Sequence, residues 1–322
     1  RMESAIATGS WIGERTGITQ NMDKTNYLAI LSQLQRVVSN LPGEQENFAA
    51  RTVHPTHFGR FCPIETPEGT EIGLRKNLAM LAKISTRCSV SPEKIIVVLE
   101  EEGMIELKNI KPEQEEKMND VFLNGRFVGV SNGDDFIKRI KDRRRRTDLP
   151  EEMSIRFDKI LGTVFLSSEV GRVLRPLVIV DNGKPRLKKE YLEVIEQGSL
   201  TWQDLIRKGV IEYLDAAEEE DILVALNENE VSEDNTHMEV DPIACLGIIT
   251  SLVPFANHNQ APRLLRGSKT QKQSLGIYAA NFPVRMDTDV SILHYAQKPL
   301  VRSFIYDTLN VYPAGQNLIV AI

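Results

Sequence analysis

Cysteine is scarce. Cys62, Cys88 and Cys245 are odd in number and widely separated in 322 residues. This argues against a disulfide framework or a cysteine-rich zinc module and suits a reducing compartment. Also missing is any apolar run near the ~18–20 residues that a membrane-spanning helix needs. The amino-terminal RMESAIATGSW lacks the layout of a secretory signal. No internal repeat and no low-complexity tract is present. Positive charge is not in excess either: 39 Lys and Arg against 45 Asp and Glu leave a net charge of −6. That total does not announce a nucleic-acid binder. A local basic surface can still act, because attraction to phosphate decays over roughly 8–10 Å at physiological salt.

With 41% hydrophobic and 26% charged residues, the sequence reads as soluble and globular. Its length allows two or more cores, since single cores stop growing near ~250–300 residues. The first residue is Arg1, and the sequence stops inside the apolar run Leu318–Ile322, so it reads as a piece of something larger. The pattern predicts an α+β, multidomain chain of mixed helices and antiparallel sheets. Helices are expected near 22–33, 73–85, 134–146 and 199–214, and again over 242–276 with a break at Gly267. Short strands are expected over 86–190, starting with SPEKIIVVLEEEGMIEL, and over 277–322. Asn124-Gly125 and Asn182-Gly183 are hairpin-turn candidates. The segment 39–50, with Pro42-Gly43, reads as a mobile loop.

The densest unusual segment is HPTHFGRFCPIETPEG, residues 54–69. Pro55, Pro63 and Pro67 fix φ and remove backbone donors, so no ordinary helix can run through it. Its polar groups must find partners elsewhere, as those of a functional loop do. His54, His57 and Cys62 are conceivable metal ligands without a fourth donor nearby. The favoured reading is that both histidines hydrogen-bond loop carbonyls and pin the irregular chain. Glu65 and Glu68 are expected to pair with arginines and hold the loop rigid, the alternative being two solvated turn glutamates.

Two basic runs need opposite treatment. Arg143–Arg146 is the densest, but acids flank it and no aromatics interleave, so a solvated face or subunit contact is expected. The acidic Glu218–Asp221 is expected to offset a helix macrodipole. Around HNQAPRLLRGSKTQKQS, Arg263, Arg266, Lys269 and Lys272 recur every third residue, with amides at Gln260, Gln271 and Gln273. No acidic residue occurs from Ala256 to Asn281. Basic forks plus amides, with acid excluded, suit a polyphosphate or nucleic-acid backbone. A straight helix would not put all four basic residues on one face.

Several segments taken in order resemble the second-largest subunit of archaeal and eukaryotic RNA polymerases. They are AIATGSW (5–11), TQNMDKTNYLAILSQLQR (19–36), VHPTHFGRFCPIETPEGTEIGLRKNL (53–78), GRVLRPL (171–177), EYLDAAEEEDILVA (212–225), PFANHNQAPR (254–263), KQSLG (272–276), NFPVRMDT (281–288), YAQKPL (295–300) and PAGQNLIVAI (313–322). HNQAPR and the segment around EYLDAAEEEDI resemble the archaeal/eukaryotic branch, and the compact intervening loops suggest an archaeal member.

The resemblance implies a fork over 1–85, a first external domain over 86–190, a second over 191–241 and the start of a hybrid-binding domain over 242–322. It implies a contact between Arg263 and the phosphates of the incoming nucleotide. Gln260, Lys272 and Gln273 are implied to lie along the RNA–DNA hybrid. His54, His57, Arg60, Glu65 and Glu68 are implied to form the fork and its scaffold, with Asn40–Ala50 as the second fork loop. No role is carried to Arg266, where eukaryotic members have an aromatic residue. The implied assembly is a DNA-directed RNA polymerase, a nucleotidyltransferase. Its Mg2+ is held mainly by the largest subunit, with none expected in this chain, and the chain alone is expected to be inactive. Implied partners are the DNA template, the RNA transcript, nucleoside triphosphates, and the largest and other subunits, but no membrane. The implied setting is the cytoplasm for an archaeal protein or the nucleus for a eukaryotic one. The alternative is a binding or assembly module without activity of its own.

Overall fold

A computed structural model of the chain describes residues 1–12, 15–87, 90–111 and 118–322, so Gly13 and Cys88 lie outside the described residues. Residues 81–242 form one compact unit, and residues 1–80 with 243–322 form another. Helices and mixed or antiparallel sheets, none of them closed among the described residues, make this an α+β fold.

In the 81–242 unit, SPEKIIVVL is not a strand. Pro92 occupies the first turn of the helix Pro92–Glu101, where its missing N–H leaves no bond unmade, and Ile95 and Leu99 are fully buried one turn apart. That four-residue spacing outweighs the β-branched composition. The helix packs with Phe136 and Ile140, from the helix Gly133–Arg145, against Val121 and Val164. Those valines belong to a five-stranded sheet in the order Ile105–Glu106, Arg126–Ser131, Asn119–Leu123, Thr163–Ser167, Ser154–Asp158. One pair, Asn119–Leu123 with Thr163–Ser167, is parallel. The turn Asn124-Gly125 has φ of 51° and 76°, the left-handed pair that a two-residue hairpin needs. Gly133 is required for another reason: a Cβ there would fall 2.6 Å from both the Asn119 Oδ1 and the Phe157 ring.

A second sheet is organised on Val173–Asp181. This strand pairs antiparallel with Lys83–Ile84, Ile211–Leu214, His237–Met238 and, through the turn at Asn182-Gly183, Lys184–Pro185. The expected helix at 199–214 is shorter than its apolar pattern suggests. Trp202–Arg207 is helical behind a Thr201/Asp204 capping box, then Gly209 turns the chain at φ 61° into the strand Ile211–Leu214.

The basic run is not a solvated face. Arg144 is 3% exposed and donates to Glu218 at 2.7 and 2.8 Å, to Glu212 at 2.9 Å and to the Met153 carbonyl at 2.6 Å. Arg145 reaches Glu212 at 2.8 Å, and His237 Nε2 lies 2.8 Å from the same carboxylate. Arg143 pairs with Glu102 at 2.6 Å. Arg175 bonds both Glu219 and Glu239. Glu218 and Glu219 are therefore ion-pair partners, beyond any service to a macrodipole. Four consecutive helical residues do point in all directions, but one direction here is inward.

In the other unit, Leu28, Ile249, Leu252, Ile305, Tyr306 and Val311 make the core. Residues 73–85 do not form the expected helix. Gly73 lies at φ 75°, where a Cβ would stand 2.3 Å from the Arg51 carbonyl oxygen. Arg75–Asn77 then pairs antiparallel with Arg36–Val38, and the amides of Leu78 and Ala79 go to the carbonyls of Gln35 and Arg60. Residues 277–322 hold no strand, only the 3-10 turn Phe282–Val284, the helix Phe304–Thr308 and a bridge from Ala314 to Gly276. Side-chain amides take over the backbone pairing there: Asn317 bonds the Lys298 carbonyl and the Leu300 amide, and Gln297 accepts from the Asn317 amide.

Candidate functional site

The helix Ala261–Gln273 carries the basic and amide residues singled out from the sequence. Pro262 stands in its first turn and no acidic residue joins it there. Gly267 does not break it; a Cβ at Gly267 would meet only the Val253 side chain, at 3.5 Å. Leu264 and Ser268, four apart, form the buried side. Turning about 100° per residue then splits the basic residues between two directions. Lys272 and Lys269 swing to the loop 54–69, while Arg263 and Arg266, together with Gln273, are exposed. Gln260 is the exposed N-cap residue and makes no side-chain cap bond.

The loop answers with carboxylates. Lys272 Nζ lies 3.0 Å from Glu65 Oε1, and Lys269 Nζ lies 3.2 Å from Glu68 Oε2. The partners are thus lysines, not the expected arginines. The two pairs differ in weight. Glu68–Lys269 is close to half-exposed on both sides and contributes about 0–1 kcal/mol. Glu65 is 3% exposed, so its charge must be satisfied locally. It accepts from Ser32 Oγ at 2.7 Å as well, and Ser32 accepts in turn from Asn77 Nδ2 at 3.0 Å. A second polar chain runs beneath the helix: the Glu65 amide to Cys62 Sγ, Cys62 to Thr250 Oγ1, and Thr250 to Ser268 Oγ. Gly247 lies against this junction, where a Cβ would stand 3.2 Å from both Cys62 Cβ and Glu65 Oε2.

The histidines pin the loop through amides, not carbonyls. His57 Nδ1 accepts from the His54 amide at 3.2 Å, His54 Nδ1 accepts from the Thr56 amide at 3.4 Å, and together they box the 3-10 turn Pro55–His57. Burial, then the neighbouring Lys76 and His54, hold the His57 imidazole below its ordinary pKa of 6.5. An unprotonated Nδ1 is what acceptance from an amide requires. Arg60 is buried and donates to the Thr56 carbonyl at 3.3 Å. Among the described residues, no group of three or more His, Cys, Asp or Glu is arranged to hold a metal ion.

Sequence reasoning missed Arg51, which binds four carbonyls: Gly43 at 2.7 Å, Gln45 at 3.1 Å, Thr70 at 2.7 Å and Ile72 at 3.0 Å. The loop 40–50 is exposed, yet two of its carbonyls are tied down by this guanidinium. Ser32, Asn77 and Asn26 were missed too. Asn26 Nδ2 bonds the carbonyls of Gln271 and Ser274, holding the far end of the helix Ala261–Gln273. Each is a lone polar residue, without a local pattern to single it out.

Residues 20–84, 121–181, 202–242 and 249–322 match the family models described as RNA polymerase Rpb2, domains 3, 4, 5 and 6, in that order. The chain is 42% identical over its whole length to DNA-directed RNA polymerase subunit Rpo2 of Sulfolobus acidocaldarius. It is 38% identical, over 99% of its length, to DNA-directed RNA polymerase II subunit RPB2 of Encephalitozoon cuniculi. Over its whole length it is 36% identical to DNA-directed RNA polymerase II subunit 2 of Arabidopsis thaliana. It spans 29–30% of the length of these relatives. Four consecutive family models and these end-to-end alignments agree that the chain belongs to the family of the second-largest subunit of DNA-directed RNA polymerase.

Proposed function

We propose that this chain lines the active centre and nucleic-acid channel of a DNA-directed RNA polymerase. Residues 1–85 would serve as its fork, 86–190 and 191–241 as its two external domains and 242–322 as the start of its hybrid-binding domain. The partners are the DNA template, the RNA transcript, nucleoside triphosphates, the largest subunit and the other subunits. An archaeal host would keep the assembly in its cytoplasm, a eukaryotic one in its nucleus.

The observation that carries the proposal is the state of Arg263. It stands in the first turn of a helix, where the macrodipole is positive and a cation is unfavourable by about 0.3–1 kcal/mol. It is exposed and, among the described residues, makes no ion pair. A triphosphate relieves that repulsion and accepts paired hydrogen bonds from the guanidinium, which a lysine cannot reproduce. Gln260, one turn before it, and Gln273, at the other end of the helix, offer amides towards the RNA–DNA hybrid. The reaction is attack of the RNA 3′-hydroxyl on the nucleotide α-phosphate, with pyrophosphate leaving. Bound Mg2+ supplies charge neutralisation at the attacking and leaving oxygens. Its ligands would belong mainly to the largest subunit; Glu65 and Glu68, each taken up by a lysine, do not make a ligand set. This chain orients the triphosphate and stabilises charge shifting onto pyrophosphate.

In a polymerase assembled with this subunit, Arg263→Ala should slow nucleotide addition and weaken nucleotide binding, together by about 2–4 kcal/mol, as for loss of one preorganised donor. Arg146→Ala, an exposed change at the carboxyl-terminal cap of Gly133–Arg145, is the control. Equal extension by wild type and Arg263→Ala at subsaturating nucleotide would remove the role.

A further inference from the structure

We infer that Lys272 is an internal strut, not a ligand of nucleic-acid phosphate, and that Glu65 is a positioning residue acting through it. The inference rests on reading the helix Ala261–Gln273 as the element that faces nucleotide and hybrid. The sequence pattern groups Lys272 with Arg263 and Arg266 as equivalent basic residues; their surroundings separate them.

The Lys272 side chain is 22% exposed and meets a Glu65 carboxylate that is 3% exposed. An ammonium so placed satisfies a buried charge, and drawing it away to a phosphate would leave that carboxylate, among the described residues, with Ser32 Oγ as its remaining side-chain donor. Glu65 is itself fixed from two sides, by the Asn77–Ser32 chain and by its own amide on Cys62. The helix is therefore held at Ser268 through Thr250 and at Lys272 through Glu65, one turn apart. Its carboxyl end is held further by Asn26 on Gln271 and Ser274. Arg263 lies about 13 Å up the axis from Lys272, at ~1.5 Å per residue. A small slip or tilt at the anchored end is carried to Arg263, where a displacement of ~1 Å can cost a reaction about 100-fold.

Three measurements decide the matter. The first is the salt dependence of binding an RNA–DNA hybrid scaffold to the polymerase assembled with this subunit. Each phosphate contact removed lowers the slope of log K against log salt by about 0.7–0.9. Lys272→Met should leave the slope unchanged, and a fall of that size would overturn the inference. The second is nucleotide KM in the same assembly. Lys272→Met and Glu65→Gln should each raise it roughly three- to tenfold, the double variant no further than the worse single, with Lys272→Arg near wild type because it can still meet Glu65. Multiplying effects in the double variant, or no rise in KM from Lys272→Met, would overturn it.

The third needs no nucleic acid. The unfolding constant of the chain in urea should show the two substitutions strongly coupled, and independent effects would sink the strut. If Glu65→Gln fails to assemble, the slope and KM of Lys272→Met still decide. If Arg263→Ala proves silent in nucleotide addition while Glu65 and Lys272 remain coupled in urea, the nucleotide-facing reading fails and the tie stands.

Discussion

Replacing Arg144 by methionine removes a guanidinium from the middle of the 81–242 unit while keeping a similar aliphatic stem. The guanidinium satisfies two carboxylates and a carbonyl at once: Glu218, Glu212 and Met153. Their fates differ after the change. Glu212 keeps Arg145 at 2.8 Å and His237 at 2.8 Å. Among the described residues, Glu218 keeps only the Ile155 amide at 3.1 Å and the more distant Lys141 at 3.5 Å, in a side chain that is 1% exposed. Removing one partner of a buried pair costs about 3–5 kcal/mol, mostly through the charge left behind. Among the described residues Arg144 Nε has no hydrogen-bond partner, so part of the arginine's desolvation is already uncompensated. The low end, about 3 kcal/mol, is therefore expected.

For a unit of this size, about 3 kcal/mol corresponds to a fall of roughly 6–12 °C in Tm. Urea unfolding followed by a probe within residues 81–242, with Arg146→Ala as reference, measures it. Adding Glu218→Gln to Arg144→Met should restore part of the loss, because it discharges the orphaned carboxylate. A loss below about 1 kcal/mol, or no recovery in the double variant, would refute the reasoning. The pH dependence has a definite sign. Despite complete burial, Arg144, His237 and Arg145 hold the Glu212 carboxyl well below its ordinary 4.5. The stability this supplies is present above pH 4.5 and is lost as pH falls from there toward the folded-state value.

Arg51→Ala removes the guanidinium shared by Gly43, Gln45, Thr70 and Ile72, and should raise amide exchange and protease cleavage across residues 43–47. Unchanged exchange there would show that the loop is held by something else. The folded-state pKa of His57 lies below 6.5, so the unfolded chain takes up its proton first as pH falls. Its contribution to stability should be steady above pH 6.5 and should decline below that, until the folded-state pKa is passed. Titration of the His57 ring by NMR checks this, and a midpoint at or above 6.5 would contradict it.

What the sequence made legible was local. Asn124-Gly125 and Asn182-Gly183 turn as expected because a two-residue hairpin depends on two adjacent φ values and little else. The helix Gly133–Arg145 falls on a segment read as helical, and Phe136 and Ile140, four apart, lie on its buried side. The helix at Pro92 was hidden because IIVVL is apolar all round, and periodicity alone cannot separate a buried strand from a buried helix. The strand at Arg75–Asn77 was hidden because its partner lies some 40 residues earlier and its helix-like composition is overruled at Gly73 by contact with Arg51. The loop 54–69 and the run after Ala261 stood out by composition, yet nothing local says that Glu65 and Lys272, 207 residues apart in sequence, are partners.

The same pairing explains how a chain of net charge −6 can present a positive surface. Acid is absent from Ala256 to Asn281, so the helix Ala261–Gln273 cannot neutralise its own basic residues. The acids that answer it come from the 54–69 loop, and there are two: Glu65 reaches Lys272 and Glu68 reaches Lys269. Arg263 and Arg266 are exposed and, among the described residues, make no ion pair. Much of the acidic excess elsewhere is engaged inside residues 81–242, where Glu212, Glu218, Glu219 and Glu239 face Arg144, Arg145 and Arg175. Beyond about 8 Å at physiological salt the remaining surface acids are screened. On the proposed reading, an approaching triphosphate would meet the Arg263 guanidinium at the head of this helix, whatever the total charge. Arginine at Arg263 suits that proposed contact, because a planar fork binds phosphate oxygens in pairs where an ammonium does not.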